Sequence, residues 1–408
     1  MATTLLSDVR TTATGRAADV VIEDGTIAAV LAPGAPRPVA DEIVDGGGGL
    51  LLPTLVDGHC HPDKTTWGEP WLSRQPAQSL ADLIDNDVRV QKQLTRSVAE
   101  RSGSLLERYV AHGARAVRAH VDVAPVHGLD NVRGVAEAAA AIGPALDVEI
   151  VAFPQLGILR TPGTAELLRE AVGAGATVLG GIDPLGLDGD LDGHLDIVFG
   201  LAAELDVDLD IHLHDTGETG RLQVEAVLRR TVEAGWQGRM TLGHAFYYAD
   251  LTGSALADLA AATAEAGVTL ATCALGGPDL ALPVPELRAA GVRVVLGSDG
   301  IRDAWSPFGN ADMIDRTHLL AYQLGAATDD EIEACLDVAA HAGAELLGLP
   351  HSGLHVGDPA DVMVLDAECA AQAVVDRPLP RLVLRAGRVV AADGHLTPAA
   401  TASTTTRA

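Results

Sequence analysis

Eight short apolar runs recur between residues 55 and 299, each separated from the next by a longer stretch of different character. The runs are LVDGHCH (55–61), ARAVRAHVDV (114–123), VEIVAFPQ (148–155), ATVLGGID (176–183), DLDIHLHD (208–215), RMTLGHA (239–245), VTLATC (268–273) and VRVVLGSD (292–299). Between them lie stretches rich in Ala, Leu and Glu, such as NVRGVAEAAAAIG and GRLQVEAVLRRTVEAGW. Apolar runs of this length read as strands, and the stretches between them carry helical periodicity. Eight strands alternating with helices over about 250 residues predict an α/β fold, a (β/α)8 TIM barrel. An open doubly wound sheet would place a Gly-rich fingerprint after its first strand, and the sequence has none there.

The two ends of the chain differ from this middle. Residues 18–52 (ADVVIEDGTIAAVLAPG, then EIVDGGGGLLLP) and 354–392 (LHVGDPADVMVLD, then RLVLRAGRVVAADG) hold short strand signals around turn residues. Neither end makes a large core alone. Together they predict one small β-sandwich domain, spanning 1–53 and 346–395, beside a barrel over 54–345. The polar TPAATASTTTRA predicts a disordered tail at 396–408. With 56 acids against 28 Lys and Arg, the net charge is −28. A nucleic-acid binder needs a basic face, so small-molecule partners are expected, with neither nucleic acid nor membrane. No apolar run approaches the ~20 residues of a membrane span. The four cysteines, Cys60, Cys273, Cys335 and Cys369, form no CxxC pair, which fits a reduced, cytoplasmic setting. A homo-oligomer is expected.

Alternation along the strands exposes a conflict. In strand five, Asp208, Asp210, His212 and His214 share one face and Leu209, Ile211 and Leu213 the other. The helix-facing side of a barrel is apolar, so the polar set points inward. Strand one repeats this with Asp57, His59, His61 and Asp63, and strand two with Arg118, His120 and Asp122. Burying such groups costs several kcal/mol, on the order of 2–7 each, unless they are paired or bind a metal. His59, His61, His120, Gln155, Asp183, His212, His244 and Asp299 all close their strands at the C-terminal end, where TIM-barrel enzymes carry their active sites.

A hydrolytic divalent metal takes neutral imidazoles and a carboxylate, leaving one position for water. His59, His61, His212 and Asp299 are the expected ligands. Bound water then ionises near a pKa of about 7. His244 is expected to hold that water, Asp299 to take its proton, and Lys64 or Asp215 to carry a proton to the leaving nitrogen. Beside the metal ion and its neighbouring carboxylate, Lys64 is expected to titrate near neutrality. His214 is read as a structural partner of Asp210 or Asp215, and His120 with Asp122 as a buried pair. Cys60 points to the opposite face and is no ligand. His112, His127, His194, His341, His351, His355 and His395 are read as surface or loop residues.

HxH on strand one, His on strands five and six and Asp on strand eight resemble the amidohydrolase superfamily, metal-dependent TIM barrels with a small β-sandwich built from both chain ends. RAHVDV (118–123), IVAFPQLGIL (150–159) and GSDGIRDAWSPFGNADM (297–313) resemble its cytosine deaminase-like branch. HxHxDK, GGIDP, DIHLHD and DxIRDxWxPFGN resemble, within that branch, the N-isopropylammelide amidohydrolases. The resemblance implies hydrolytic removal of ammonia or an alkylamine from the amidine carbon of an N-heterocycle, a cytosine-like pyrimidine or an amino-triazine. It also implies that Gln155 reads the ring and Trp305 walls the pocket, and Asp183 is read as a partner for a ring nitrogen. Many superfamily members bridge two metals with a lysine on strand four. That strand here is VLGGIDP, so one metal is expected, zinc ahead of iron. Cytosine deaminases carry HxxE on strand five, where this chain has His212-Leu213-His214-Asp215. The alternatives are a cyclic amide hydrolase and a non-catalytic metal-binding barrel.

Overall fold

A computed structural model of the chain describes residues 2–11, 17–77, 80–398 and 400, with only the backbone of Leu80, Ala81 and Pro278. In chain order the strands are β1 (Thr3–Thr11), β2 (Ala17–Glu23), β3 (Thr26–Leu31), β4 (Glu42–Pro53), β5 (Leu55–Cys60), β6 (Ala114–Asp122), β7 (Asp147–Phe153) and β8 (Val178–Ile182). They continue with β9 (Asp208–Leu213), β10 (Met240–His244), β11 (Val268–Thr272), β12 (Val294–Leu296), β13 (Val362–Leu365), β14 (Leu382–Arg385), β15 (Arg388–Ala392) and β16 (His395–Leu396).

Strands β5 to β12 lie in sequence order in one parallel sheet. Helices follow each of them, among them Asp130–Ile142 after β6, Leu191–Leu205 after β8 and Gly217–Ala234 after β9. The sheet closes through a parallel bridge between Cys60 and Asp299, with Asp299 N donating to His59 O at 2.9 Å. The chain is therefore a (β/α)8 TIM barrel, and all eight expected strands are present. Leu209, Ile211 and Leu213 are buried against the helices, as their alternation in β9 requires. Two glycines permit the closure. A Cβ on Gly297 would lie 2.5 Å from His59 Cβ, and one on Gly243 would lie 2.8 Å from His59 Cε1. Only glycine lets β10 and β12 press so close to the first inward histidine.

The second sheet runs β16-β15-β14-β13-β4-β1-β2-β3 and draws on both ends of the chain. Its core holds Leu6, Val20, Ile22, Leu51, Val362 and Leu384. Leu52 and Met363 on the paired strands β4 and β13 belong to the barrel's core instead, so this sheet seats on the barrel. The expected tail from 396 starts within it. Leu396 pairs with Ala391, Thr397 N donates to Val390 O, and Ala400 is buried; residues 399 and 401–408 lie outside the described residues. Among the described residues no helix is long and apolar enough to cross a membrane.

Candidate metal centre and pocket

Four side chains converge at the C-terminal mouth of the barrel. Asp299 Oδ1 lies 3.2 Å from His61 Nε2 and 3.8 Å from His59 Nε2. His212 Nε2 lies 3.4 Å from His61 Nε2. The ligating atoms of His59, His61 and His212 all fall within 4.8 Å of one another, as do those of His59, His244 and Asp299. Both ring nitrogens of His59 are buried without a hydrogen-bond partner among the described residues. Orphaned buried nitrogens are costly, and a cation held by them would remove that cost. Burial, with the neighbouring histidines, pushes the pKa of His59 and His212 well below the ordinary value. Burial and then Lys64 push His61 down to about 4. Burial and then His214 push His244 down to about 3. All four imidazoles are therefore neutral, which is the ligating form. Burial would raise Asp299, but its hydrogen bond to His61 and the surrounding imidazoles hold it well below the usual carboxylate range. The donor set fits a divalent cation.

A third cluster, His59, His120 and Asp210, lies deeper. There His120 Nε2 is 3.2 Å from Asp210 Oδ1, and the Arg118 guanidinium donates to Asp210 Oδ2 at 3.0 Å. A fixed cation already stands beside this carboxylate, which disfavours a second one. His120 thus faces Asp210 and not Asp122, contrary to the expected pair.

The residues that end the strands are held in strained backbone. Asp183, His244 and Asp299 have φ of 33°, 62° and 60°, values that non-glycine residues rarely adopt and that cluster at functional sites. Asp57, buried under them, accepts from Tyr109 Oη at 2.6 Å, His59 N at 3.0 Å and Ser298 N at 3.1 Å. One carboxylate thereby fixes the chain at both ends of the closure.

Above the four converging groups is a cavity of about 270 Å³. Its wall includes Lys64, Gln155, His214, His244 and Trp305, with Phe153, Ile182, Phe246, Leu275 and Leu280 supplying apolar surface. Phe153 stacks on His212 at 4.1 Å. Lys64 Nζ lies 5.9 Å from the Trp305 ring and 5.2 Å from that of Phe153.

Several placements differ from the sequence reading. Lys64 is buried, with Nζ 2.9 Å from Asp122 Oδ1 and a hydrogen bond to Gln155 Oε1. Burial alone would lower its pKa; Asp122, Asp87 and Asp63 outweigh that and hold it above the ordinary lysine value. This ion pairing favours the charged ammonium, against the expectation of a lysine that titrates near neutrality. Asp183 does not line the cavity. It clamps His214, accepting from His214 Nδ1 at 2.7 Å and from His214 N at 2.7 Å. Asp215 lies behind the wall and accepts from Gln223 Nε2 at 2.9 Å. The shorter acid in place of Glu thus turns out of the cavity, and His214, read as structural, turns in. There it stacks on His244 at 4.5 Å. Burial opposes its protonation, but Asp183 raises its pKa above the ordinary histidine value. The signal for this was present in two sequence positions, the polar end of GGIDP and the second His of HLH. Their contact spans neighbouring strands and has no sequence spacing. His194, read as a surface residue, is buried and bonded to Asp188 at 2.7 Å. His112 is largely buried, 3.2 Å from Asp312.

A parallel barrel with converging neutral imidazoles and a carboxylate at its mouth defines a class, the metal-dependent hydrolases. A profile of the amidohydrolase family matches residues 87–391, and the chain belongs to that family. It is similar to N-isopropylammelide isopropyl amidohydrolase of Pseudomonas sp. (strain ADP), 32% identical over 364 residues that cover 87% of this chain and 89% of that one. Among solved structures it is similar to N-isopropylammelide isopropylaminohydrolase from Burkholderia multivorans ATCC 17616, at 38% identity and a TM-score of 0.90, covering 97% of this chain and 100% of that one. The fold is shared with 5-methylcytosine deaminase from Klebsiella pneumoniae, at 24% identity and a TM-score of 0.83, covering 95% and 97% of the two chains. The family's members are hydrolases acting on carbon–nitrogen bonds.

Proposed function

We propose that this chain is a hydrolytic aminohydrolase that removes ammonia or an alkylamine from the amidine carbon of a small N-heterocycle, an amino-triazine or a related pyrimidine. The observation that carries this reading is the set of orphaned, neutral imidazoles converging with Asp299 on the floor of a cavity sized for one ring. The relatives of Pseudomonas and Burkholderia bear names of the same chemistry. His59, His61, His212 and Asp299 would hold one divalent metal, zinc ahead of iron. When bound, the metal supplies an acidified water at the cavity floor.

The remaining work falls to the chain's own side chains. Asp299, ionised and 24% exposed, takes the water's proton. His244, neutral and beside Asp299, steers that water by hydrogen bonding. His214, held by Asp183 and facing the cavity, delivers a proton to the leaving nitrogen, which departs as a neutral amine. Lys64 donates to a ring acceptor, Gln155 reads the ring edge, and Trp305 and Phe153 flank its faces. Apolar Ile182, Phe246, Leu275 and Leu280 leave room for an alkyl group on the nitrogen.

The test is release of ammonia and alkylamine across a panel of aminated pyrimidines, pterins and triazines, with metal content determined on the same sample. Amine release from at least one ring with metal bound is the expected result. Ring opening without amine release would reassign the site to a cyclic amide hydrolase.

A further inference from the structure

Gln155 is gripped from two sides by groups of opposite hydrogen-bonding character. Its Oε1 accepts from Lys64 Nζ, and its Nε2 donates to Asp87 Oδ2 at 3.2 Å. Asp87 stands on the helix Leu80–Gln91, in the long connection between β5 and β6, and is 2% exposed. Gln91 Nε2, one turn further along the same helix, donates to the same oxygen at 3.1 Å. The other carboxylate oxygen, Asp87 Oδ1, is buried without a hydrogen-bond partner among the described residues. A buried carboxylate left half-satisfied is a liability in a helix that only covers a barrel. An apolar side chain would serve that purpose better.

We propose that Asp87 is a positioning residue that locks the Gln155 amide in a single orientation and so sets which ring edge the pocket accepts; this rests on the aminohydrolase reading above. An ammonium only donates and a carboxylate oxygen only accepts. Flipping the amide would set its NH2 against Lys64 and its carbonyl against Asp87, two repulsive contacts in place of two attractive ones. Lys64 is itself held by Asp122 at 2.9 Å. The chain Asp122–Lys64–Gln155–Asp87 therefore runs from β6 through the cavity wall to the covering helix. Gln155 keeps one N–H and one lone pair for the substrate, in a fixed order. A free amide reads an oxo or an amino substituent equally by turning over. A locked one pairs with one and leaves a buried group unpaired against the other.

The experiment compares wild type, Asp87→Asn, Gln155→Ala and the double variant, all metal-loaded. The assay uses two rings that differ only in an oxo or amino substituent beside a ring nitrogen. Asn at 87 can face either end of the amide, so Asp87→Asn should lower the kcat/KM ratio between the two rings by ~10-fold or more, chiefly through KM. In the Gln155→Ala background the same change should alter the ratio less than ~2-fold, because Asp87 acts through Gln155. Additive effects, or an unchanged ratio in Asp87→Asn where Gln155→Ala changes it, would overturn the proposal. A second measurement does not depend on substrate. The side-chain amide 15N signal of Gln155, identified by its loss in Gln155→Ala, should shift in Asp87→Asn. A static signal overturns the lock even if no ring is turned over, whereas a shifted signal with no turnover of any ring counts against the aminohydrolase reading alone.

Discussion

Two polar layers fill this barrel, and they differ in whether a fixed guanidinium stands beside their carboxylate. In the deep layer Arg118 donates to Glu149 at 2.6 Å, Asp210 at 3.0 Å and Thr241 Oγ1 at 3.0 Å, and Asp210 also contacts His120. Both ring nitrogens of His59 and the Nδ1 atoms of His61 and His212 at the mouth are buried without hydrogen bonds among the described residues, as are both ring nitrogens of His120 in the deep layer. At the mouth, however, the carboxylate, Asp299, faces His61 and His59 instead of an arginine. Both layers look alike in sequence, inward histidines and acids on alternating positions. The difference teaches that a fixed cation already neutralises the deep carboxylate, whereas the histidines and Asp299 at the mouth form a donor set that fits a cation from outside.

The sharpest way to break this contrast is at the mouth. His59→Ala, His61→Ala, His212→Ala or Asp299→Ala should abolish turnover, and the His variants should lose bound metal while keeping their fold. Metal analysis beside a rate assay checks it; full metal and activity in the His212 variant would sink the assignment.

Next come the groups that flank the proposed metal ligands. His214→Ala and His244→Ala should each lower kcat by ~10²-fold or more, the usual size of an acid–base contribution, and His214→Ala should leave the metal in place. Asp183→Asn should lose nearly as much as His214→Ala. Lys64→Met should act mainly on KM, since the carboxylates around Lys64 favour its charged form. A Lys64 variant that lost kcat alone, with a displaced pH limb, would restore it as the proton carrier.

The deep layer should respond in stability instead. Arg118→Met leaves Asp210 as an uncompensated buried charge and should cost about 3–5 kcal/mol. Denaturant unfolding measures it. A smaller loss there than in His59→Ala would reverse the comparison.

A milder effect concerns Asp303 on the cavity wall, which accepts from Trp305 N at 2.8 Å and Ser306 N at 2.7 Å. Burial pushes its pKa up to about 7, against an ordinary 3.8. A raised carboxyl favours its protonated form in the folded state. Its stabilising contribution is complete below about pH 4 and disappears as pH rises through about 7. Metal-free Asp303→Asn should gain roughly 2 kcal/mol relative to wild type between pH 4 and 8, read from unfolding midpoints. Parallel curves would show that Asp303 is ionised throughout.

The smallest effect is expected at Asp215. Bonded to Gln223 and turned from the cavity, it should tolerate Asp215→Asn with kcat within about 3-fold of wild type. A ~10²-fold loss would return it to the proton path.

Sequence by itself determined the barrel, because eight apolar runs of strand length admit few arrangements and the period of two assigns each polar residue to the inner face. It also determined the strand-end histidines and Asp299, since a strand's direction fixes which end opens on the active face. Gly243 and Gly297, each one or two residues before a site residue, were legible too, but their reason was not. It lies in the approach of two strands to His59. Only the tertiary structure decided the partners. Asp183 with His214, Lys64 with Asp122 and Arg118 with Asp210 all join different strands or their loops, and no spacing along the chain encodes those distances. In a low-dielectric interior a carboxylate a few ångströms nearer one base than another decides which keeps its proton, and so which residue acts and which merely supports.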